Sequence, residues 1–181
     1  MTERPFKPTA EQLAAAGGKA IADLLAPNLR VVFVGINPGL YSAAISHHFG
    51  RPGNRFWPAL FAAGFTPRLL SPFDERELLA LGLGITNIVS RASARADELS
   101  AAELRAGASI LAAKVRKYRP GIVAFLGVTA YRTAFDQRKA GIGRQAEHIE
   151  ESVAWVLPNP SGLNAHFTLD QFHELRKAVA E

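Results

Sequence analysis

The chain reads as an α/β protein whose largely parallel sheet is covered by helices on both sides. Three observations carry that reading. Short apolar runs of strand length alternate with Ala/Leu-rich or amphipathic stretches of helical length, the pattern of successive βαβ units. Two Asn-Pro turns, Gly35-Ile36-Asn37-Pro38-Gly39 and Asn159-Pro160-Ser161-Gly162-Leu163, each follow an apolar run directly. The 181 residues contain no internal repeat, low-complexity tract or linker, so one domain over residues 1–181 is expected. A domain of that length buries roughly 70% of its unfolded surface.

The elements follow in order. Residues 1–8 are polar and Pro-containing and read as a flexible arm. Thr9 to Leu25 is Ala/Leu-rich and predicts a helix stopped by Pro27. Arg30–Ile36 is the first strand, and a long Gly/His-containing loop then runs from Asn37 to Asn54. Loops over about 12–15 residues are usually functional or disordered. Arg55–Ala63 reads as a short helix with Phe56, Trp57, Leu60 and Phe61 at core spacing, and Asp74–Leu81 as another with Asp74 as its cap. Ile85–Val89 is the second strand. Ser100 with Glu103 three residues later is a capping box opening a helix to Tyr118, which Pro120 stops. Gly121–Leu126 is the third strand and Val128–Phe135 the helix after it. Residues 136–150 are polar and Gly-containing and suggest an irregular hairpin. Val153–Leu157 is the fourth strand, and Thr168–Ala180 a closing helix with Leu169, Phe172, Leu175 and Val179 on one face.

The chain has no Cys, which removes disulfides, Cys-ligated zinc and iron–sulfur clusters from consideration. Its five His residues, at 47, 48, 148, 166 and 173, show no metal-ligand spacing. Net charge is +5. Such a balance serves solubility, or it attracts a polyanion whose counterions are released on binding. The start has no signal-type apolar stretch, and no run of about 18 apolar residues occurs. The expectation is a cytoplasmic, nucleoid-associated protein if bacterial, with no membrane partner.

In an open α/β sheet, ligands bind beyond the carboxyl ends of the strands, where two Asn-Pro turns can face one another across one cleft. Asn37 is either a turn former or a group whose amide holds a water or a substrate carbonyl. Asn takes no proton at neutral pH, so chemistry built on it depends on positioning. In the His47–Trp57 block, Phe56 and Trp57 read as core. Phe49 lies in mid-loop without periodic apolar context, and an exposed ring there could stack on a planar base. Arg51 and Arg55 could meet phosphates or be solvated charges. Leu163 is either tucked into the core or an apolar wedge that pries base steps apart. The Gly35–Gly39 turn lacks the spacing of a Gly-rich phosphate loop.

Taken as an ordered set, Gly35-Ile36-Asn37-Pro38-Gly39-Leu40, the His47–Trp57 block, Gly84-Ile85-Thr86-Asn87 and Asn159-Pro160-Ser161-Gly162-Leu163 resemble the mismatch-specific uracil/thymine-DNA glycosylases. These form the Mug/thymine-DNA glycosylase branch of the uracil-DNA glycosylase superfamily. The resemblance spans roughly Leu25 to Ala178. It implies a three-layer α/β/α fold with a central four-stranded parallel sheet, no metal and no cofactor. It also implies a monomer acting on double-stranded DNA that carries a mismatched or damaged pyrimidine. Asn37 corresponds to the residue that positions the attacking water. Phe49 matches the ring that stacks on the flipped base, Gly39 the glycine at its C5 edge, and the Ile36 and Phe49 N–H groups the donors to the pyrimidine carbonyls. Ser42, His48 and Asn87 fall at substrate-pocket positions. Asn159 and Ser161 belong to the DNA-contacting turn, and Gly162, Leu163 and Asn164 to the wedge that fills the gap and contacts the widowed guanine. Ala165 stands where some members carry Arg.

Overall fold

The computed structural model describes residues 6–180. Of the expected N-terminal arm, residues 1–5 lie outside the described residues, while Phe6 and Lys7 are exposed and Pro8 is buried. The strands are β1 (Val31–Gly35), β2 (Leu83–Asn87), β3 (Ile122–Leu126), β4 (Gly143–Ile149) and β5 (Ser152–Leu157). They form one five-stranded sheet in the order β2-β1-β3-β5-β4. The first four in that order are parallel, and β4 runs antiparallel to β5.

The expected four parallel strands are therefore present, and a fifth is added at one edge. It lies in the stretch expected to be an irregular hairpin. There β4 turns into β5 through Glu150, whose φ of 54° is left-handed, and its register slips between Arg144 and His148. Its polar composition hides the strand signal because β4 is an edge with a mostly exposed face. Charges and a bulge also blunt such an edge against foreign pairing.

The inner strands are continuous apolar runs because both faces are covered. Val31, Phe33, Ile85, Ala124, Leu126, Trp155 and Leu157 pack with α3 (Phe56–Ala62), α4 (Glu77–Ala80) and α7 (Asp170–Ala180). The alternate residues, Val32, Val34, Val123, Phe125, Ala154 and Val156, pack with α5 (Ala101–Tyr118) and α6 (Val128–Ala134). This is the three-layer arrangement expected. Because β2 lies on one side of β1 and β3 on the other, the strand order reverses between β1 and β3, where such sheets open a crevice.

Several boundaries differ from the sequence expectation. The first helix, α1, spans only Ala10–Ala15. Gly17-Gly18 ends it, with Gly18 at φ 80°, and the chain then runs extended so that Leu24 pairs with Ile85. The Asn37–Asn54 loop contains a helical turn and a half, α2 (Leu40–Ile45), capped by Gly39. Asp74 does not cap α4, which Arg76 precedes; Ser71 caps a short 3₁₀ turn (Pro72–Asp74) ahead of it, and the Asp74 carboxylate accepts the Ser71 N–H at 2.9 Å.

The capping box of α5 is present, with Glu103 N–H donating to Ser100 Oγ (3.1 Å) and Ser100 N–H to Glu103 Oε2 (3.3 Å). The same carboxylate receives the Arg91 guanidinium through Nε and Nη2, both at 3.0 Å. The Arg91 hydrogen bond, assisted by the Ser100 N–H and opposed by desolvation, holds the Glu103 carboxyl below its ordinary range. A depressed folded-state value stabilises the fold above the unfolded carboxylate range, about 4.3, and that contribution is lost as pH falls through the folded value. Melting wild type and Glu103→Gln across acid pH should show a constant gap near neutrality that closes in the acid range. A gap independent of pH would remove the ion pair as its cause.

Candidate active site

A cleft of about 420 Å³ opens at the carboxyl ends of β1, β2, β3 and β5, and Gly35, Asn87, Leu126 and Asn159 all line it. The two Asn-Pro turns meet there over Gly127, at the end of β3. A Cβ on Gly127 would lie 3.5 Å from Ile36 Cδ1 and 3.8 Å from Asn159 Cβ. Gly127 also has φ 138°, a conformation that favours glycine. The structure thus brings Ile36, Asn37, Gly39, Ser42, His48, Phe49, Asn87, Asn159, Ser161 and Leu163 to one cavity wall. Gly162 lines an adjoining groove instead, and Asn164 lines neither.

Asn37 is oriented by the segment after β2. Its Nδ2 donates to the Arg91 carbonyl oxygen at 2.9 Å and to Ser93 Oγ at 2.8 Å. The Ser93 hydroxyl in turn donates to the Arg95 carbonyl oxygen (2.7 Å), and Ser93 N–H donates to Pro38 O (3.1 Å). Both amide hydrogens are engaged, so the amide orientation is fixed by its partners and Oδ1 is the group offered to a ligand. Arg91, Ser93 and Arg95 had no part in the sequence reading of the site. Their one available signal was position, since they follow a strand at its carboxyl end.

Phe49 sits at φ 52°, in the left-handed region, which for an aromatic residue costs on the order of 1 kcal/mol or more. Its neighbours enforce that conformation. His48 N–H donates to Glu75 Oε2 (2.8 Å), His48 Nε2–H to Ala22 O (2.9 Å), and Trp57 Nε1–H to His48 O (3.2 Å). On the other side, Gly50 N–H donates to Ser42 Oγ (2.9 Å), while His47 Nδ1 lies 3.0 Å from Glu75 Oε1. The Phe49 ring is half-buried rather than exposed as expected, with its centroid 4.1 Å from that of Phe56. Core packing competes for one face of the ring because α3 passes beneath the loop. Phe56, Trp57 and Leu60 are buried, as their spacing indicated, whereas Phe61 is exposed on the outer side of α3.

Gly35 is the floor beneath two of these side chains: a Cβ there would stand 2.5 Å from Asn87 Oδ1 and 3.4 Å from Phe49 Cζ. Gly39 has open space where its Cβ would be. Ser42 and His48 line the cavity yet are buried and committed to bracing the loop. His48 therefore contributes wall rather than a free ring nitrogen pair.

The second turn is braced internally. Ser161 N–H donates to Asn159 Oδ1 (2.9 Å), Asn164 Nδ2 to Asn159 O (2.9 Å), and Leu163 N–H to Ser161 Oγ (3.3 Å). Asn164 Oδ1 accepts the His166 N–H at 3.1 Å, so its amide holds the loop rather than projecting from it. Leu163 is 81% exposed at the rim, which excludes a core role. Arg55 is half-buried and bonded to Asn164 O (2.6 Å), so it is not a solvated charge. Arg51 is exposed and lines both the cleft and the groove beside it.

The cleft's one carboxylate among the described residues is Asp97, exposed at the rim and ion-paired with Arg95. No group of three His, Cys, Asp or Glu able to hold a metal stands together among the described residues. No helix among the described residues is long and apolar enough to cross a membrane. The cleft is an apolar slot with fixed amides, hydroxyls and main-chain groups, suited to holding a planar polar ring and a water. The family model described as the uracil DNA glycosylase superfamily matches residues 22–181, a span containing every strand and all of the cleft lining but Ile21. The chain therefore belongs to the uracil DNA glycosylase superfamily, whose members are typically hydrolases of N-glycosyl bonds in DNA.

Proposed function

We propose that the protein is a monofunctional glycosylase of the mismatch-specific uracil/thymine branch. It excises uracil, and thymine or ethenocytosine, opposite guanine by flipping the base and hydrolysing its glycosidic bond. The observation that carries this reading is Asn37, whose two N–H bonds are committed to Arg91 O and Ser93 Oγ. Its oxygen is left to hold the attacking water.

The flipped pyrimidine enters the slot over Gly35 and stacks on Phe49, with Asn87 at its polar edge and Gly39 leaving room at C5. Cleavage develops positive charge on the sugar and negative charge on the departing pyrimidine. Main-chain N–H groups of Ile36 and Phe49 aimed at the pyrimidine carbonyls stabilise that anion, as donors in an oxyanion hole do. DNA phosphates stabilise the sugar cation, so a water held by Asn37 needs little activation. With an amide rather than a carboxylate at position 37 the enzyme is slow. Selectivity comes from mispairs, which cost less to unstack and extrude, and Leu163 fills the space the base vacates.

Labelled duplexes carrying G·U, G·T or A·U, and single-stranded U, followed by alkaline cleavage of abasic sites, test the reading. Excision from G·U should exceed excision from A·U. Equal, rapid excision from A·U and single strands would assign a uracil-only enzyme, and no release from any substrate a damage-binding module.

Asn37→Ala should lower the single-turnover rate on the order of 100-fold or more with duplex binding nearly unchanged, the scale of losing one transition-state group. Asp97→Asn should stay within about threefold of wild type on the same scale. If Asp97→Asn is the severe variant, the rim carboxylate and not Asn37 serves the water.

Leu163→Ala should reduce excision of thymine from G·T more than of uracil from G·U, because the wedge offsets an unstacking cost of a few kcal/mol. Melting should be unchanged, since Leu163 is exposed. Unaltered rates on both substrates would leave Leu163 without a role in extrusion.

A further inference from the structure

The loop that carries Leu163 and the turn that borders the base cavity meet at Arg55. Its main-chain N–H donates to Pro160 O at 2.8 Å, and its side-chain Nη1 donates to Asn164 O at 2.6 Å across 109 residues of sequence. The guanidinium carbon lies 5.2 Å from the centroid of the Phe167 ring. Backbone packs on backbone beside it: a Cβ on Gly162 would stand 2.9 Å from Gly53 O and 3.3 Å from its carbonyl carbon. Asn54 Oδ1 meanwhile accepts the Phe56 N–H at 2.9 Å, fixing the turn to the start of α3. Arg55 therefore spans a rigid element, α3, and the otherwise self-braced loop 159–167.

The chemistry of these contacts is specific to arginine. A planar guanidinium can stack on an aromatic face while one N–H points in its plane at a carbonyl oxygen. An ammonium on a flexible stem offers no plane to stack. The partners are a carbonyl and a ring rather than a carboxylate, so the bond survives changes in pH and depends little on salt.

We infer that Arg55 is a positioning residue that seats the Leu163 loop on the base-pocket turn, coupling extrusion of the base to its capture in the cleft. This role rests on the glycosylase reading above, and goes beyond it by assigning the coupling to one side chain outside the lining of the cleft. Loss of Arg55 should impair excision only where the base must first be pushed from a stack. It should spare a base that is already unstacked.

The test uses the full chain, with Arg55→Ala, Arg55→Lys and Leu163→Ala singly and the Arg55→Ala/Leu163→Ala pair. Single-turnover rates are measured on uracil opposite guanine in a regular duplex and in a duplex whose flanking pairs are also mismatched. Melting temperature and amide hydrogen exchange of residues 159–167 are followed alongside. Arg55→Ala should lose about tenfold on the regular duplex, the scale of one charge-assisted bond plus a stacking contact, and stay within about twofold on the destabilised one. Arg55→Lys should resemble Arg55→Ala. The pair should lose little more than Leu163→Ala alone, as residues acting in one unit do. Exchange in 159–167 should rise in Arg55→Ala while the rest of the protein keeps its protection. Equal losses on both duplexes, additive losses in the pair, rescue by lysine, or unchanged exchange each overturn the role. Exchange decides it even if wild type releases no base, an outcome that would overturn the glycosylase reading separately.

Discussion

The Asn37 amide has two N–H bonds, and the cleft depends on where they go. One is given to Arg91 O and the other to Ser93 Oγ, so the side chain can neither flip nor swing toward solvent without leaving a partner unmet. The segment that receives them is itself zipped to the first Asn-Pro turn, with Ile88 N–H on Gly35 O, Val89 N–H on Ile36 O and Ser93 N–H on Pro38 O. Arg91 is then tied outward to Glu103 at the first turn of α5. A surface ion pair of this kind is ordinarily worth little. Here it also holds the main chain whose carbonyl sets the Asn37 oxygen, so its geometric consequence exceeds its energy.

Around that fixed amide the site divides into a stiff half and a projecting half. The stiff half is Phe49, kept in a left-handed conformation by Glu75, Ala22, Trp57 and Ser42 through the residues on either side of it. Strain of this sort persists where the surroundings over-determine it, and it is concentrated at functional sites. The projecting half is Leu163, an apolar side chain left almost wholly in water. It adds nothing to the core, and covering it with apolar surface would take it out of water. Gly127 allows the two halves to approach over β3, and Arg55 bridges the turn beside Phe49 to the loop behind Leu163.

The positive balance of the chain is not spread evenly in its consequences. Near the cleft, Arg91 and Arg95 are neutralised by Glu103 and Asp97, and Arg55 is stacked and half-buried. Arg51 is exposed at the junction of the cleft and the groove beside it. Basic residues that look equivalent in a sequence thus divide into those that hold the site's shape and those left exposed.

The sequence by itself determined the sheet's inner strands, because a strand buried on both faces must be a continuous apolar run, as Val31–Val34 and Val153–Leu157 are. It determined the start of α5, whose Ser100–Glu103 box is a contact between residues three apart. It also put the two Asn-Pro turns at strand ends, and so at one end of a parallel sheet. It did not reveal β4, whose exposed edge carries polar residues, nor the Gly17-Gly18 stop of α1, which the Ala/Leu content around it obscured. Only the tertiary structure decided which of the polar residues are free. Ser93 meets Asn37 across 56 positions and Arg55 meets Asn164 across 109. Such pairings are set by sheet order and register, and they leave no periodic trace in the chain. His48, Ser42 and Asn164 look in sequence like ligands of the cleft, yet each has a side-chain hydrogen bond committed to holding the loops in place. A side chain's type fixes what bonds it can make, and packing at a distance fixes which of them remain for a ligand.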